Sequence, residues 1–306
     1  MATPSVIAVD VGGTSVKAAV IDGDGATLRR SDVPTPVGDG PEAVVAAIRA
    51  AVGELAGPEV AAVGVVVPGV VEVGTGIARY STNLGWRDVP LAELLSADVG
   101  VPVAVDHDVR AAGHAERVLG RARGVRDCLV VVIGTGIAGV VVSGGAQQRG
   151  ATDLAGEIGH VPVYPDGDTC ACGQRGCTET YASAAAISRR YRALTGIVLS
   201  AAEICAARDA DPAAARVWDE AAQALGLALT TYTMLLDPSL VVLAGGLSAA
   251  GTALRDPVRD ALAARLAWRP VPAVEISPLA GRAGQYGAAL FAWRAAGRDV
   301  GADWRV

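Results

Sequence analysis

One strand–glycine turn–strand unit occurs twice in this chain. "SVIAVDVGGTSVKAAVIDGDG" begins at residue 5 and "CLVVVIGTGIAGVVVSGGA" at residue 128, and at an offset of 121 Gly13 falls on Gly134, Thr14 on Thr135 and Gly23 on Gly144. Apolar runs of strand length joined by glycine turns read as β-hairpins. A hairpin repeated at that distance predicts two domains that open alike, and 306 residues suit two domains of roughly 100–200 residues each.

The segments between and after the hairpins predict an α/β protein. "PEAVVAAIRAAVGEL" sets Val44, Ile48, Val52 and Leu55 on one helical stripe. "VAAVGVVVPG" and "VPVAVDHD" read as buried parallel strands. "DPAAARVWDEAAQALGLALTTYTMLLDP" starts with an Asp N-cap and a first-turn proline and stops at Asp237-Pro238. "SLVVLAGGLS" is a strand entering a Gly-Gly turn, "RDPVRDALAARLAW" a capped helix and "AGQYGAALFAWRAAG" a closing helix. No low-complexity linker divides the chain, so the two domains are expected to be tightly joined, with a ligand cleft between them. The expected boundaries are 1–107, completed by the closing helix at 284–306, and 108–283.

Charge and hydropathy narrow the function. The net charge is −6 and no lysine/arginine run forms a nucleic-acid or membrane patch. The N-terminal "MATPSVIAVD" lacks a basic region followed by an apolar core, so no signal peptide is expected. The run "CLVVVIGTGIAGVVV" is interrupted by Gly134, Gly136 and Gly139 and is shorter than the roughly 20 residues a spanning helix needs. A soluble cytoplasmic protein with neither nucleic-acid nor membrane partner is the expectation, and in that compartment clustered cysteines point to metal more than to disulfides.

Four groups of residues carry chemistry. In "DVGGT", Gly12 and Gly13 let backbone N–H groups approach phosphate oxygens, Thr14 adds a hydroxyl, and Asp10 at the strand end can hold Mg²⁺. Gly134, Thr135 and Gly136 form a second such turn, and "LAGGLS", with Gly245 and Gly246, a possible third nucleotide contact. "VAVDHDVRAAGHAE" ends a strand and opens a helix, where carboxylates often face ligands. There the helix cap is assigned to Asp106 or to the backbone, and Asp108 to accepting a proton from a substrate hydroxyl. Finally, His160, Cys170, Cys172 and Cys177 form a one-segment Cys₃His set, the pattern of a structural zinc site with no open position for water. Glu157 and Glu179 bracket that loop and can accept hydrogen bonds from paired hydroxyls. Cys128 and Cys205 read as small core residues.

Together these motifs resemble the ROK family (repressors, open reading frames and kinases), nearly end to end and most of all its bacterial glucokinases. "DVGGTSVKAAVID", including Lys17, resembles the family's first phosphate motif, "STNLGW" its sugar-contacting Asn segment, and "GEIGHVPV" with "CACGQRGCTETYAS" its signature and zinc loop. The resemblance implies an actin-like ATPase (ribonuclease H-like) fold, with ATP and Mg²⁺ as donor and structural Zn²⁺ in the loop 160–177. It also implies a hexose acceptor phosphorylated at its 6-hydroxyl, and a homodimer. Asn83, Asp108, Glu157, His160 and Glu179 would surround the sugar, with Asp108 as catalytic base. His107, Val109 and Arg110 stand where the family motif has Asn, Ala and Asn; Arg110 is expected to lie solvated on its helix. The acceptor stays open among glucose, other hexoses, amino-sugars and cyclitols, and polyphosphate stays open as donor. Only nine residues precede Asp10, which argues against the family's repressors with their N-terminal DNA-binding domain.

Overall fold

The computed structural model describes residues 3–301 and 304. In chain order the elements begin with β1 (Ser5–Val11), β2 (Ser15–Asp22), β3 (Thr27–Pro34), α1 (Pro41–Leu55), β4 (Val60–Val67), β5 (Val70–Glu72), β6 (Ile77–Ser81) and β7 (Trp86–Val89). There follow α2 (Leu91–Val99), β8 (Val103–His107), α3 (Asp108–Val118), β9 (Cys128–Ile133), β10 (Ile137–Ser143), β11 (Ala146–Gln147), α4 (Glu179–Ala182) and α5 (Ala184–Thr195). The chain ends with α6 (Ala201–Ala207), α7 (Pro212–Leu236), β12 (Leu240–Ala244), α8 (Thr252–Ala263), β13 (Ala273–Ile276) and α9 (Ala283–Ala295). Two compact units result, 1–119 with 282–306, and 120–281.

The two units repeat one sheet topology. The first has the order β3-β2-β1-β4-β8 and the second β11-β10-β9-β12-β13. In each, the opening hairpin and its third strand pair antiparallel, and the later strands join parallel. The Gly12–Thr14 and Gly134–Gly136 turns thus occupy equivalent places, each at the tip of its unit's hairpin. The central strands are apolar because both faces are covered: Val6–Val9 and Val63 are fully buried in the first unit, and Val241–Ala244 in the second. Each such Val or Ile side chain contributes about 1.5–3 kcal/mol of transfer free energy. Helix α1 buries Val44, Ile48, Val52 and Leu55 as its periodicity predicts, with Ala51 beside them. A separate three-stranded sheet, β5-β6-β7, belongs to the first unit.

Four expectations are corrected. The expected boundary after residue 107 assigns α3 to the second unit. Instead α3 packs on α9, where His114 stacks on Phe291 with ring centroids 5.2 Å apart, so the division falls after Leu119 and returns at Arg282. Strand β8 is parallel but not buried on both faces. It is a sheet edge, and only its Val105 is buried. Helix α8 starts at Thr252, before "RDP", with Pro257 inside it. Proline cannot donate to Ala253 O, one turn back, and that carbonyl instead accepts from Trp218 Nε1 at 2.8 Å. The fourth correction concerns Asp106 and Arg110 and is described with the site. Among the described residues no disulfide joins the cysteines, Cys128 and Cys205 lie buried, and no helix is long and apolar enough to cross a membrane.

Candidate functional site

In the first unit the Gly12–Thr14 turn is closed by Gly12 N–H donating to Ser15 O at 2.9 Å. Thr35, which the sequence did not single out, clamps it from the side: its hydroxyl donates to Gly12 O at 2.6 Å and its N–H to Thr14 O at 3.0 Å. Gly13 and Thr14 are exposed. Asp10 lies at the end of β1, opposite the exposed Lys17 across the β1–β2 ladder. Its carboxyl meets the start of α9, where a side chain on Gly284 would come within 2.7 Å of Asp10 Oδ2. Burial, then the Asp108 carboxylate, push Asp10 up to about 7, and Lys17 pulls it back only in part. A carboxyl so raised favours either a proton or a cation beside it.

Asp108 is the first residue of α3 and His107 the last of β8. Asp108 Oδ1 accepts from Val109 N at 2.7 Å and lies 3.3 Å from His107 Nε2. Asp106 does not cap the helix. Its Oδ1 accepts from Arg110 Nε at 2.7 Å and from the His107 backbone N–H at 2.6 Å. Arg110 is correspondingly not a solvated helix residue: its side chain is 13% exposed, and Nη2 donates to Val71 O at 3.2 Å. The ion pair forms because β8 turns into α3 within one residue, which folds the arginine back over the strand end. It occupies Asp106. Asn83 lies exposed between β6 and β7.

In the second unit the Gly134–Gly136 turn is held by Gly134 N–H donating to Gly136 O at 2.9 Å, and Ala184 N–H at the start of α5 donates to Gly134 O at 2.9 Å. Glu179 braces the same turn. Its Oε2 accepts from Ile137 N at 2.7 Å, and a side chain on Gly136 would come within 2.6 Å of that oxygen. Gly245 is required by packing: its φ is +82°, and a Cβ would lie 2.5 Å from Ile133 O. Gly246 has open space around it.

The ligand atoms of His160, Cys170, Cys172 and Cys177 all lie within 4.8 Å of one another. Cys172 Sγ is 3.7 Å from Cys177 Sγ, and Cys170 Sγ is 3.8 Å from His160 Nδ1. A tetrahedral ion with metal–sulfur bonds of about 2.3 Å separates its sulfurs by about 3.8 Å, so the donor set fits such an ion. The loop backbone is turned by Gly176, at φ +69° against Tyr164 O, and Cys170 N–H donates to Gln174 O at 2.8 Å. Burial pushes the Cys177 thiol up to about 12, which a bound cation would reverse. With Nδ1 toward the cysteines, His160 leaves Nε2 on the side of Glu157, 4.0 Å from Oε2 and beyond hydrogen-bond distance.

A further tie carried no sequence signal. Arg190 on α5 donates to Asp168 Oδ2 in the loop and to Glu220 Oε2 on α7, both at 2.6 Å, and stacks over Tyr181 at 4.6 Å. Tyr181 Oη in turn accepts from Asp168 N at 2.8 Å.

The ROK family profile matches residues 6–295. The chain is 36% identical over 308 aligned positions to the glucokinase of Streptomyces coelicolor, spanning 94% of this chain and 96% of that one. Among solved structures, a ROK family glucokinase from Streptomyces griseus in complex with glucose and AMPPNP matches with a TM-score of 0.85 and 34% identity, over 95% of this chain and 99% of the other. The ROK hexokinase of Thermus thermophilus matches with a TM-score of 0.78 and 33% identity, over 95% and 98%.

Proposed function

The chain belongs to the ROK family, and we propose that it acts there as an ATP-dependent sugar kinase, moving the γ-phosphoryl group of ATP to the 6-hydroxyl of a hexose, with glucose the first candidate. Its fold is that of the actin-like ATPases. The observation that carries the reading is Asp108: an acid at a strand–helix junction, with one oxygen anchored and its neighbour Asp106 neutralised by Arg110.

In this reading Gly12, Gly13 and Thr14 of the first unit, and Gly134, Thr135 and Gly136 of the second, present N–H and hydroxyl donors to the donor's phosphates. Lys17 adds positive charge, and Gly245 and Gly246 pass beside the nucleoside. Asp108 takes the proton of the 6-hydroxyl as its oxygen bonds to the γ-phosphorus and the bond to the bridging oxygen breaks. Asn83, Glu157, His160 and Glu179 hold the sugar hydroxyls. Mg²⁺, when bound with the phosphates near Asp10, neutralises charge developing in transfer; the raised Asp10 carboxyl suits a cation. Zn²⁺ fits the Cys₃His set and would hold the loop that carries His160 and leads to Glu179. The reading extends to a cytoplasmic homodimer, since ATP is the cytoplasmic donor and the family resemblance implies the dimer.

The test is a coupled ADP-release assay with Mg-ATP against a panel of hexoses, using wild type and Asp108→Asn. Loss of a positioned base costs about 10²–10⁴-fold, so Asp108→Asn is expected to lose at least that in kcat while glucose binding by calorimetry persists. Wild-type turnover in the variant would remove Asp108 as base.

A further inference from the structure

We propose that His107 is a positioning residue, which fixes the orientation of the Asp108 carboxylate so that Oδ2 is the oxygen that receives the hydroxyl proton. The proposal rests on Asp108 being the base. One hydrogen bond and one close approach fall on the same oxygen: Val109 N–H donates to Oδ1 at 2.7 Å, and His107 Nε2 stands 3.3 Å from it. No hydrogen bond from the described residues reaches Oδ2.

Placement and competition both favour this role. His107 ends β8 in an extended conformation, at φ −74° and ψ 137°, and Asp108 begins α3. The two side chains therefore leave the backbone where the chain changes direction, and the imidazole comes to lie against its neighbour's carboxylate. The imidazole is only 19% exposed, so it is held there by the surrounding structure. The nearby acid that could draw it away, Asp106, is already bound by Arg110 Nε, with the same guanidinium tied to Val71 O.

The consequence is geometric. A carboxylate turns about a broad two-fold torsion unless something holds it, and a base must meet its proton in a near-attack arrangement, where a displacement of about 1 Å can cost 10²-fold. The backbone N–H of Val109 fixes Oδ1 from one side only. The His107 imidazole, 3.3 Å from that oxygen, restricts the remaining rotation. During transfer Asp108 gains the proton of the substrate hydroxyl.

The test uses the full chain, Mg-ATP and glucose, or the best acceptor from the hexose panel, with His107→Ala, His107→Gln and His107→Asn. A glutamine amide nitrogen falls near the position of imidazole Nε2, whereas an asparagine amide falls near Nδ1 and stops short of Oδ1. The expected result is a kcat about 10–100-fold lower for the Ala and Asn variants, an ATP KM unchanged within about two-fold, and recovery of most of kcat by Gln. Full kcat in the Ala variant, equal losses in Gln and Ala, or equal recovery by Asn and Gln would overturn the proposal. If the Ala variant fails to fold, the Gln and Asn pair still decides it. Failure of the base assignment is separately visible, as turnover retained in Asp108→Asn.

Discussion

Gly136→Ala is expected to reverse the usual sign of a glycine-to-alanine change, because of one carboxylate. Gly136 lies outside the left-handed region of φ, and at such a position alanine normally stabilises by about 0.4–1 kcal/mol through the unfolded chain. Here the new methyl would stand 2.6 Å from Glu179 Oε2, the oxygen that accepts from Ile137 N. To make room the carboxylate must leave that N–H, which ends a charge-assisted hydrogen bond worth about 1.5–3 kcal/mol and strands a buried donor. The net cost is about 1–2.5 kcal/mol. At about 2–4 °C per kcal/mol the melting temperature should fall by about 2–10 °C, with a rise in sugar KM because Glu179 moves. The decisive measurement is a double-mutant cycle with Glu179→Ala, read by urea denaturation. With the carboxylate gone, the methyl meets nothing, and Gly136→Ala should become neutral or stabilising by up to about 1 kcal/mol. An unchanged cost in the Glu179→Ala background would show that backbone strain, not the Glu179 contact, makes Gly136 necessary.

Two other perturbations follow from the same geometry. Gly245→Ala combines φ +82° with a Cβ 2.5 Å from Ile133 O, so it should cost about 3 kcal/mol or more, seen as a lower urea midpoint at unchanged slope; a loss below 1 kcal/mol would contradict the packing. For Asp10, raised from 3.8 to about 7 in the folded state mainly by burial, both states are protonated below pH 3.8. Between there and 7 the folded state holds the extra proton, so stability falls as pH rises through that window. At about 1.36 kcal/mol per tenfold change in proton affinity the full loss is at most about 4 kcal/mol, lessened by solvent screening at this partly exposed residue. Asp10→Asn should flatten the slope measured from pH 4 to 8, and Mg²⁺ with nucleotide should restore stability above pH 7 in the wild type alone.

How much of this was legible in the sequence depended on range. The hairpins β1–β2 and β9–β10 and helix α1 were readable because apolar runs, glycine turns and a 3.6-residue stripe are local signals. The Cys₃His set was readable because three thiols and an imidazole seldom gather in one short segment except around a metal ion. What the sequence did not reveal was decided by packing between distant segments. Helix α3 belongs with α9 through His114 and Phe291. Pro257 is tolerated because Trp218, far along the chain, satisfies the carbonyl it abandons. Arg110 lies four residues after Asp106, a spacing that signals an ion pair on a helix, yet the pair straddles a strand–helix junction where that rule does not apply. Thr35, Gly284 and Arg190 gave no local signal, since each acts on a residue more than twenty positions away.

The cysteine loop and Glu179 are coupled by the chain itself, which makes metal removal an informative perturbation. Cys177 precedes Glu179 by two residues, and α4, only four residues long, has little stability of its own. It is held from one side by the Cys₃His set, from another by the Glu179–Ile137 bond, and through Tyr181 by Asp168 and Arg190. Without a cation the thiols take up protons, Cys177 most firmly at about 12, and the first restraint is lost while the other two remain. Chelation should therefore loosen the acid and leave the strands of β9 and β10 intact. A site filled at a thousand times its Kd adds about 4 kcal/mol, or about 8–16 °C at the sensitivity above. Exhaustive chelation should lower the melting temperature by that order and raise sugar KM more than ATP KM, with recovery on adding Zn²⁺ and none on adding Mg²⁺. In Arg190→Met, which removes a second restraint, the same treatment should cost more than in the wild type. Unchanged melting temperature and sugar KM after metal is shown to be gone would mean that the loop stands on its protein contacts alone, and that its four ligands do not position Glu179.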